Sequence, residues 1–194
     1  ATSNGGSFSL LAAGASNNSA LAVGLNTATA GAKSGTASIT LVSDGAGTSG
    51  LGQTALAGQT VNVSGNVFRY ADAGTVTPVP VNFGNHHVGD VVEQALTVSN
   101  VAVNDGFSEH LDASFGTIGG NLIASGSVNL LGAGGSNNSS MKLALNTTTA
   151  GAKSGSVTLD YQTAGAVAGV NKNLGVASVG NQVINVSGNV YQPA

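Results

Sequence analysis

Apolar and small polar residues alternate in short runs along most of this chain. The clearest runs are Thr36–Val42, Thr60–Phe68 and Gln94–Asn100. A period of two puts alternate side chains on the same face, which is typical of half-buried β-strands. No segment has the 3.6-residue period of an amphipathic helix, and the many glycine and β-branched residues disfavour one. The pattern therefore predicts an all-β chain.

Further strands are predicted at Phe8–Gly14 and Ala20–Asn26, on either side of a turn at Ser16–Ser19. The glycine-rich stretch at 43–58 is a predicted loop. Short strands with turn signals between them are typical of a β-sandwich. The second half of the chain continues in the same way, with strand-like segments at Leu122–Leu131, Met141–Asn146, Ser156–Tyr161 and Gln182–Tyr191.

The second half of the chain repeats part of the first. Thr29–Gly35 recurs letter for letter as Thr149–Gly155, 120 positions later, and Asn62–Val67 recurs 123 positions later as Asn185–Val190. A period of this size indicates a domain repeat, because solenoid units are only about 20–50 residues long. The repeated Ala-Gly-Ala-Lys-Ser-Gly is expected to be a connection between strands, with Lys33 and Lys153 pointing to solvent.

The two copies differ in extent. The first begins at the equivalent of residue 121, so nothing in it matches residues 78–120. The predicted organisation is a partial sandwich at 1–71, a linker at 72–77 and a complete sandwich at 78–194. A sandwich without at least two of its strands would expose apolar core and an open edge. Three explanations stay open: a fragment of a longer repeat protein, strands supplied by a neighbouring chain, or a shorter closure of its own.

Charge is scarce, and this excludes several kinds of partner. Charged residues make up 7% of the chain, against about 25% in an average domain. Five Lys and Arg residues are too few for the basic surface that nucleic acid or an anionic membrane requires. No stretch reaches the roughly 18 apolar residues of a membrane helix, so no direct membrane insertion is expected. The uncharged polar composition favours an extracellular or cell-surface location.

Few residues offer metal chemistry. The chain has no cysteine, which excludes disulfides, thiolate nucleophiles and Cys-based zinc sites. Adjacent histidines in a strand point to opposite sides, and a metal site needs three or four converging ligands. We therefore expect no metal and no cofactor. The candidates weighed for a metal site are His86, His87 and His110 with Asp90, Glu93, Glu109 and Asp112.

Calcium and covalent chemistry are also disfavoured. Asp44, Asp72 and Asn104–Gly106 could supply oxygens to calcium, but no Asp-x-Asp-x-Asp loop exists and turn roles are favoured. An intramolecular isopeptide bond would need a buried lysine, whereas Lys33 and Lys153 lie in glycine-flanked segments. No Gly-x-Ser-x-Gly elbow is present. The sequence therefore predicts no enzyme and no catalytic residue.

One block resembles a known family. Pro80–Asp90, followed by Gln94–Asn100, resembles the opening of choice-of-anchor D domains, which are bacterial immunoglobulin-like modules related to the ASH/Hydin type. Asn104–Glu109 and the Ala-Gly-Ala-Lys-Ser-Gly segment are similar to the same group. The resemblance covers about 78–192 in full, and 7–70 as the later half of a domain. It implies tandem immunoglobulin-like sandwiches in exported, surface-anchored proteins, with no family-wide catalytic residues.

Two functions are compatible with these features. The first is a structural role, as a protomer or segment of an extracellular filament, stalk or coat that associates with like chains, with strand complementation as one route of association. The second is an adhesin or glycan-binding module that uses the loops at 43–58 and 162–180, which differ between the copies. Carbohydrate sites commonly stack sugars on aromatic rings. With no tryptophan and three tyrosines in the chain, the structural role is favoured.

Overall fold

The computed structural model describes all 194 residues. It contains fourteen β-strands and no α-helix, so the prediction of an all-β chain is confirmed. The chain divides into two compact units, Ala1–Val67 and Phe68–Ala194. None of its segments forms a helix of the length and hydropathy needed to span a membrane.

The first unit consists mainly of one long hairpin. Its strands are β1 (Thr2–Ser3), β2 (Val23–Gly24), β3 (Gly31–Ser43) and β4 (Thr54–Val67). β3 and β4 pair antiparallel along almost their whole length, and β1 pairs only with β2. No residue of this unit is fully buried. The first unit therefore has paired backbone but no closed core.

The second unit contains ten strands. They are β5 (Val81–His87), β6 (Glu93–Ser99), β7 (Leu111–Gly120), β8 (Leu122–Ser125), β9 (Val128–Leu131), β10 (Ser136–Leu145), β11 (Gly151–Thr163), β12 (Ala166–Val167), β13 (Val170–Asn171) and β14 (Ala177–Tyr191). One sheet has the order β5-β14-β11-β7-β9 and the other has the order β6-β10-β8. β5 lies parallel to β14, whereas the other neighbours in both sheets are antiparallel.

These two sheets enclose one hydrophobic core. Leu96 and Met141 come from the smaller sheet, and Leu111, Leu159 and Ile184 come from the larger; all five are completely buried. Consecutive strands β6 and β7 lie in opposite sheets, and the first strand pairs with the last. The second unit is therefore an immunoglobulin-like β-sandwich, as the strand pattern and the family resemblance predicted.

The repeated Ala-Gly-Ala-Lys-Ser-Gly segment begins a strand, so its prediction as a connection was wrong. Lys153 lies in β11 directly opposite Gly188 of β14. Lys153 is only 6% exposed, and its Nζ donates to Thr149 Oγ1 at 2.8 Å. The expectation of a solvated lysine was therefore wrong for Lys153, while Lys33 is half-buried.

Two predicted strands of the first unit are absent. Phe8–Gly14 forms no strand, and only Val23–Gly24 of Ala20–Asn26 does. Their equivalents in the second unit are β9, which pairs with β7, and β10, which pairs with β6 and β8. The first unit has no equivalents of β6 and β7, and a segment without those partners forms no long ladder. The equivalent of β8 is β1, and its two-residue pairing with β2 is what the first unit keeps.

The predicted loops are shorter in the structure. The first hairpin loop spans 44–53, because β3 continues to Ser43 and β4 begins at Thr54. The predicted loop at 162–180 is reduced to 164–176, and the small ribbon of β12 and β13 lies within it. The predicted strand Leu122–Leu131 is broken at Gly126, which has a φ of +89° and packs against the Ser140 carbonyl.

Residues 72–77 pack within the second unit, whereas the sequence predicted a linker there and a boundary after residue 71. Ala71 and Val76 are buried in the core of the second unit, at 5% and 0% exposure. Thr77 exchanges backbone hydrogen bonds with Thr97 of β6 at 3.2 and 2.7 Å. Burial of Val76 and this pairing hold the segment against the sandwich.

Candidate functional site

The histidines and carboxylates weighed as metal ligands do not converge. His86 Nδ1 lies 3.7 Å from Asp90 Oδ2, and Glu93 pairs with a lysine of β10 at 3.1 Å. His110 is buried elsewhere, and its Nε2 accepts a hydrogen bond from the Gly169 N–H at 3.2 Å. No group of three or more His, Cys, Asp or Glu residues is placed to hold a metal ion.

The other carboxylates weighed as metal ligands accept hydrogen bonds from backbone N–H groups. Asp112 Oδ1 accepts from the Leu130 N–H at 2.6 Å, and the His87 N–H donates to an aspartate at 2.8 Å. Buried Glu109 accepts from the Thr163 hydroxyl and, at 2.9 Å, from the Gly165 N–H. These side chains fix loops and strand ends around the sandwich.

The aspartates weighed for calcium occupy turns. Asp44 Oδ1 accepts from the Ala46 N–H at 2.9 Å, and the backbone carbonyl of Asp72 accepts from Val101 at 2.7 Å. The Asp105 carboxylate receives two hydrogen bonds from the Arg69 guanidinium, at 2.9 and 2.8 Å. These bonds to Arg69 lower the pKa of Asp105 to about 2.

Asn100 is a structural residue whose role the sequence did not reveal. It is completely buried just after β6, and its amide uses all its hydrogen-bonding capacity. Nδ2 donates to the carbonyls of Glu109 and Leu131 at 3.0 Å, and Oδ1 accepts from the N–H groups of Asp72 and Ala102 at 3.2 Å. The only signal in the sequence was the asparagine that closes an alternating strand.

The strongest candidate for a functional surface is an apolar face of the first unit. We call it the open face and define it by Phe8, Leu21, Ile39, Leu41, Val61 and Val63. Phe8, Leu21 and Val61 are 39%, 38% and 36% exposed. Their repeat equivalents in the second unit are Val128, Met141 and Ile184, at 3%, 0% and 0% exposure. Positions that build the core of one unit are thus open to solvent in the other.

A groove of about 980 Å³ runs along the open face. Its apolar lining includes Phe8, Leu11, Leu21, Ile39 and Leu56. In the second unit the equivalents of Phe8, Leu21 and Ile39 belong to a core that also contains residues of β5, β6 and β7, which come from the part of the chain that the first unit does not repeat. The groove therefore corresponds to the unfilled half of a sandwich core.

Both long strands of the first unit also have a free edge. β3 and β4 pair only with each other, whereas their equivalents β11 and β14 pair in addition with β7 and β5. Neither β3 nor β4 contains proline, and Lys33 is their only charged residue. Natural edge strands usually carry charges, proline or a cover, so these edges are open to pairing with another strand.

The first unit nevertheless has the local geometry of the second. Leu10 and Leu130 both have a φ of 55°, and Gly31 and Gly151 have φ values of 127° and 126°. Lys33 Nζ donates to Thr29 Oγ1 at 2.8 Å, the same bond that Lys153 makes. The open face is thus formed by a segment that already has the conformation of half a sandwich.

No protein-family model matches the sequence, and no curated protein is significantly similar to it. Among solved structures, the chain is similar to the ASH / PapD-like domain of human CEP192 (PapD-like domain 7). The identity is 9% and the TM-score 0.46, over 62% of this chain and 86% of that one. A likeness at this level assigns neither a family nor a function.

Proposed function

We propose that this chain is an extracellular structural protein, a protomer or segment of a surface filament, stalk or coat built from immunoglobulin-like modules. The observation that carries the proposal is the open face, since no residue of 1–67 is buried although the same repeat positions form a core in the second unit. Burial of apolar surface contributes roughly 25 cal/mol per Å², so covering this face with another chain is favourable.

The family and the location belong to the same proposal. The likeness of Pro80–Asp90 and Gln94–Asn100 to choice-of-anchor D modules supports an exported, surface-anchored protein. The absence of cysteine and the low charge of 7% are compatible with an extracellular surface.

The test is the mass of the isolated chain by light scattering over a range of concentrations, for a matched pair of double variants. Ile39→Asn with Val61→Asn places two amides on the open face. Thr36→Asn with Ser64→Asn places the same amides at exposed positions outside the groove, facing the other way along the same strands. We expect the wild-type chain and the outer variant to associate, and the open-face variant to shift toward the single-chain mass of 18.6 kDa.

Negative-stain electron microscopy of the native material completes this test. Regular filaments or a lattice, with an axial repeat that accommodates one chain, support the proposal. A wild-type chain that stays monodisperse at its single-chain mass, with native material lacking any ordered assembly, contradicts it.

Exposed apolar residues favour one alternative, a binding module. Val170 and Val176 are 55% and 63% exposed in the loop at 164–176, and Leu51 is 71% exposed in the loop at 44–53. A Val170→Ser, Val176→Ser variant separates the two functions. Loss of attachment to a host surface or glycan array by this variant, with its assembly unchanged, would support the adhesin.

A further inference from the structure

Resting on the proposed assembly function, we infer that the partner of the open face is a segment of the same kind as Ala71–Gly120. In the second unit this segment carries β5, β6 and β7. It is also the part of that unit without a counterpart in the first. The second unit therefore shows how the face of the first unit is covered.

The apolar side chains of such a segment match the open face. Their exposure in the second unit is between 0% and 3%. They pack against β10, β11 and β14, whose equivalents form the open face. The side chains concerned are Val76, Val81, Leu96, Val98, Leu111 and Ala113.

A polar contact points to the same partner independently of the apolar surface. Gln182 clamps the backbone of this segment: its Nε2 donates to the Gly74 carbonyl, and its Oε1 accepts from the Val76 N–H, both at 2.9 Å. The repeat equivalent of Gln182 in the first unit is Gln59, an identical residue. Gln59 is exposed and its side-chain amide makes no hydrogen bond. The first unit therefore has the glutamine but not the backbone that this glutamine binds in the second unit.

A threonine is a second residue that binds this segment in the second unit and has an identical but unpartnered equivalent in the first. Thr147 Oγ1 donates to the Asp90 carbonyl at 2.7 Å, and the Thr147 carbonyl accepts from the Gly89 N–H at 3.1 Å. Its equivalent, Thr27, is again identical, exposed and without a side-chain partner. Apolar burial alone would not require either Gln59 or Thr27 to be the same residue.

The second unit also defines the register. Val186 of β14 lies opposite Val81 in the parallel pair, so Val63 of β4 takes the residue equivalent to Val81. Gly155 of β11 lies opposite Gly120 in the antiparallel pair, which assigns the equivalent of Gly120 to Gly35 of β3. The incoming segment thus closes both free edges of the hairpin.

Stoichiometry distinguishes this partner from simple exchange between copies. These 194 residues contain two faces that accept such a segment and one such segment, which the second unit uses. Exchange of Ala71–Gly120 between two copies would open as many faces as it fills, so simple exchange does not cover the open face.

A fusion tests the inference with the full chain. In the second unit Gly120 is followed directly by Asn121, the repeat equivalent of Ala1. A duplicate of Ala71–Gly120 joined to Ala1 therefore reproduces the natural connection. We expect this fusion to be monomeric, with amide exchange in β3 and β4 slowed by about a hundredfold or more.

Two variants make the fusion specific. Leu96→Asn and Val98→Asn, introduced only in the added copy, should leave β3 and β4 exchanging as in the unfused chain. Gln59→Ala should speed exchange in β3 and β4 about tenfold in the fusion, because two hydrogen bonds are lost, and should change nothing in the unfused chain.

The inference is overturned if the intact fusion leaves exchange in β3 and β4 unchanged, or if Gln59→Ala acts equally in both chains. If the wild-type chain assembles but amide exchange in the fusion is not slowed, this partner is rejected and the structural function is retained. If amide exchange in the fusion is slowed but the wild-type chain never assembles, the partner is supported and the assembly function is rejected.

Discussion

At the scale of single residues, Tyr161 is an unusual member of the core. It is 2% exposed, and its hydroxyl has no hydrogen-bond partner. Burial raises the pKa of Tyr161 to about 12. The repeat equivalent is Leu41, an apolar residue without a hydroxyl.

We predict that Tyr161→Phe leaves the free energy of unfolding at pH 7 within about 1 kcal/mol of wild type or raises it, because an unpaired buried hydroxyl is removed. An unfolded tyrosine ionises near pH 10, whereas folded Tyr161 keeps its proton up to about pH 12. Stability should therefore fall between pH 10 and 12 in the wild type and fall less in the variant. Urea unfolding at several pH values measures the free energy of unfolding at pH 7 and its decrease between pH 10 and 12. A loss of more than about 2 kcal/mol in the variant at pH 7 would contradict an unpaired hydroxyl.

The Arg69–Asp105 pair predicts an acid dependence. Because Arg69 lowers the pKa of Asp105 to about 2, the pair stabilises the folded state above the unfolded value of about 3.9. This contribution should be lost as the pH falls from about 4 to 2. Asp105→Asn should flatten the pH dependence of unfolding in that range, and Arg69→Gln should reproduce the effect. An unchanged acid profile in both variants would show that the pair is not formed in solution.

At the scale of strands, the availability of a partner decides which segments of the repeat are ordered. β3 and β4 are joined by a short connection and pair with each other. Their register is the same as in the second unit, since Gly31 pairs with Val67 and Gly151 pairs with Val190. The equivalent of β9 forms no strand in the first unit, and the equivalent of β10 keeps only the two-residue pairing of β2 with β1. Hairpin pairing is thus local, whereas the sandwich edges depend on distant strands.

Identical residues in the two hairpins allow a matched experiment. Val186 is 4% exposed in the closed core, whereas its equivalent Val63 is only half-buried. Val186→Ala should lower the free energy of unfolding by about 2 kcal/mol, and Val63→Ala by less than about 1 kcal/mol in the unassembled chain. Thermal or denaturant unfolding of both variants checks this difference, and equal losses would indicate that Val63 is already covered.

At the scale of the whole molecule, stability should be unevenly distributed between the units. The first unit has no buried residue, whereas the second encloses a continuous core. In the dilute, unassembled chain we expect backbone amides of β3 and β4 to exchange about a hundredfold or more faster than those of β11 and β14. Hydrogen–deuterium exchange with mass spectrometry compares these equivalent segments directly. Equal protection would mean that the hairpin is stable without a cover.

Several features were predictable from the sequence because they depend on local pattern. The alternation predicted the hairpin strands, and the repeat offset revealed that the first copy lacks a match to residues 78–120. β7 (Leu111–Gly120) was not predicted although Leu111–Phe115 alternates, because the glycine-rich residues 116–120 interrupt the pattern, and pairing with β11 and β9 makes the whole segment a strand.

Only the tertiary structure decided where individual side chains lie. Lys153 is buried whereas its identical equivalent Lys33 is half-buried, although each lies opposite a glycine. Val76 belongs to the core and its backbone N–H donates to Gln182, a residue more than a hundred positions away with no sequence signal of proximity. The all-β class, the repeat and the unequal extent of its two copies follow from residue spacing, so they can be recognised without the fold. The open groove and the unpaired Gln59 required the three-dimensional contacts, because only a folded second unit shows what covers them.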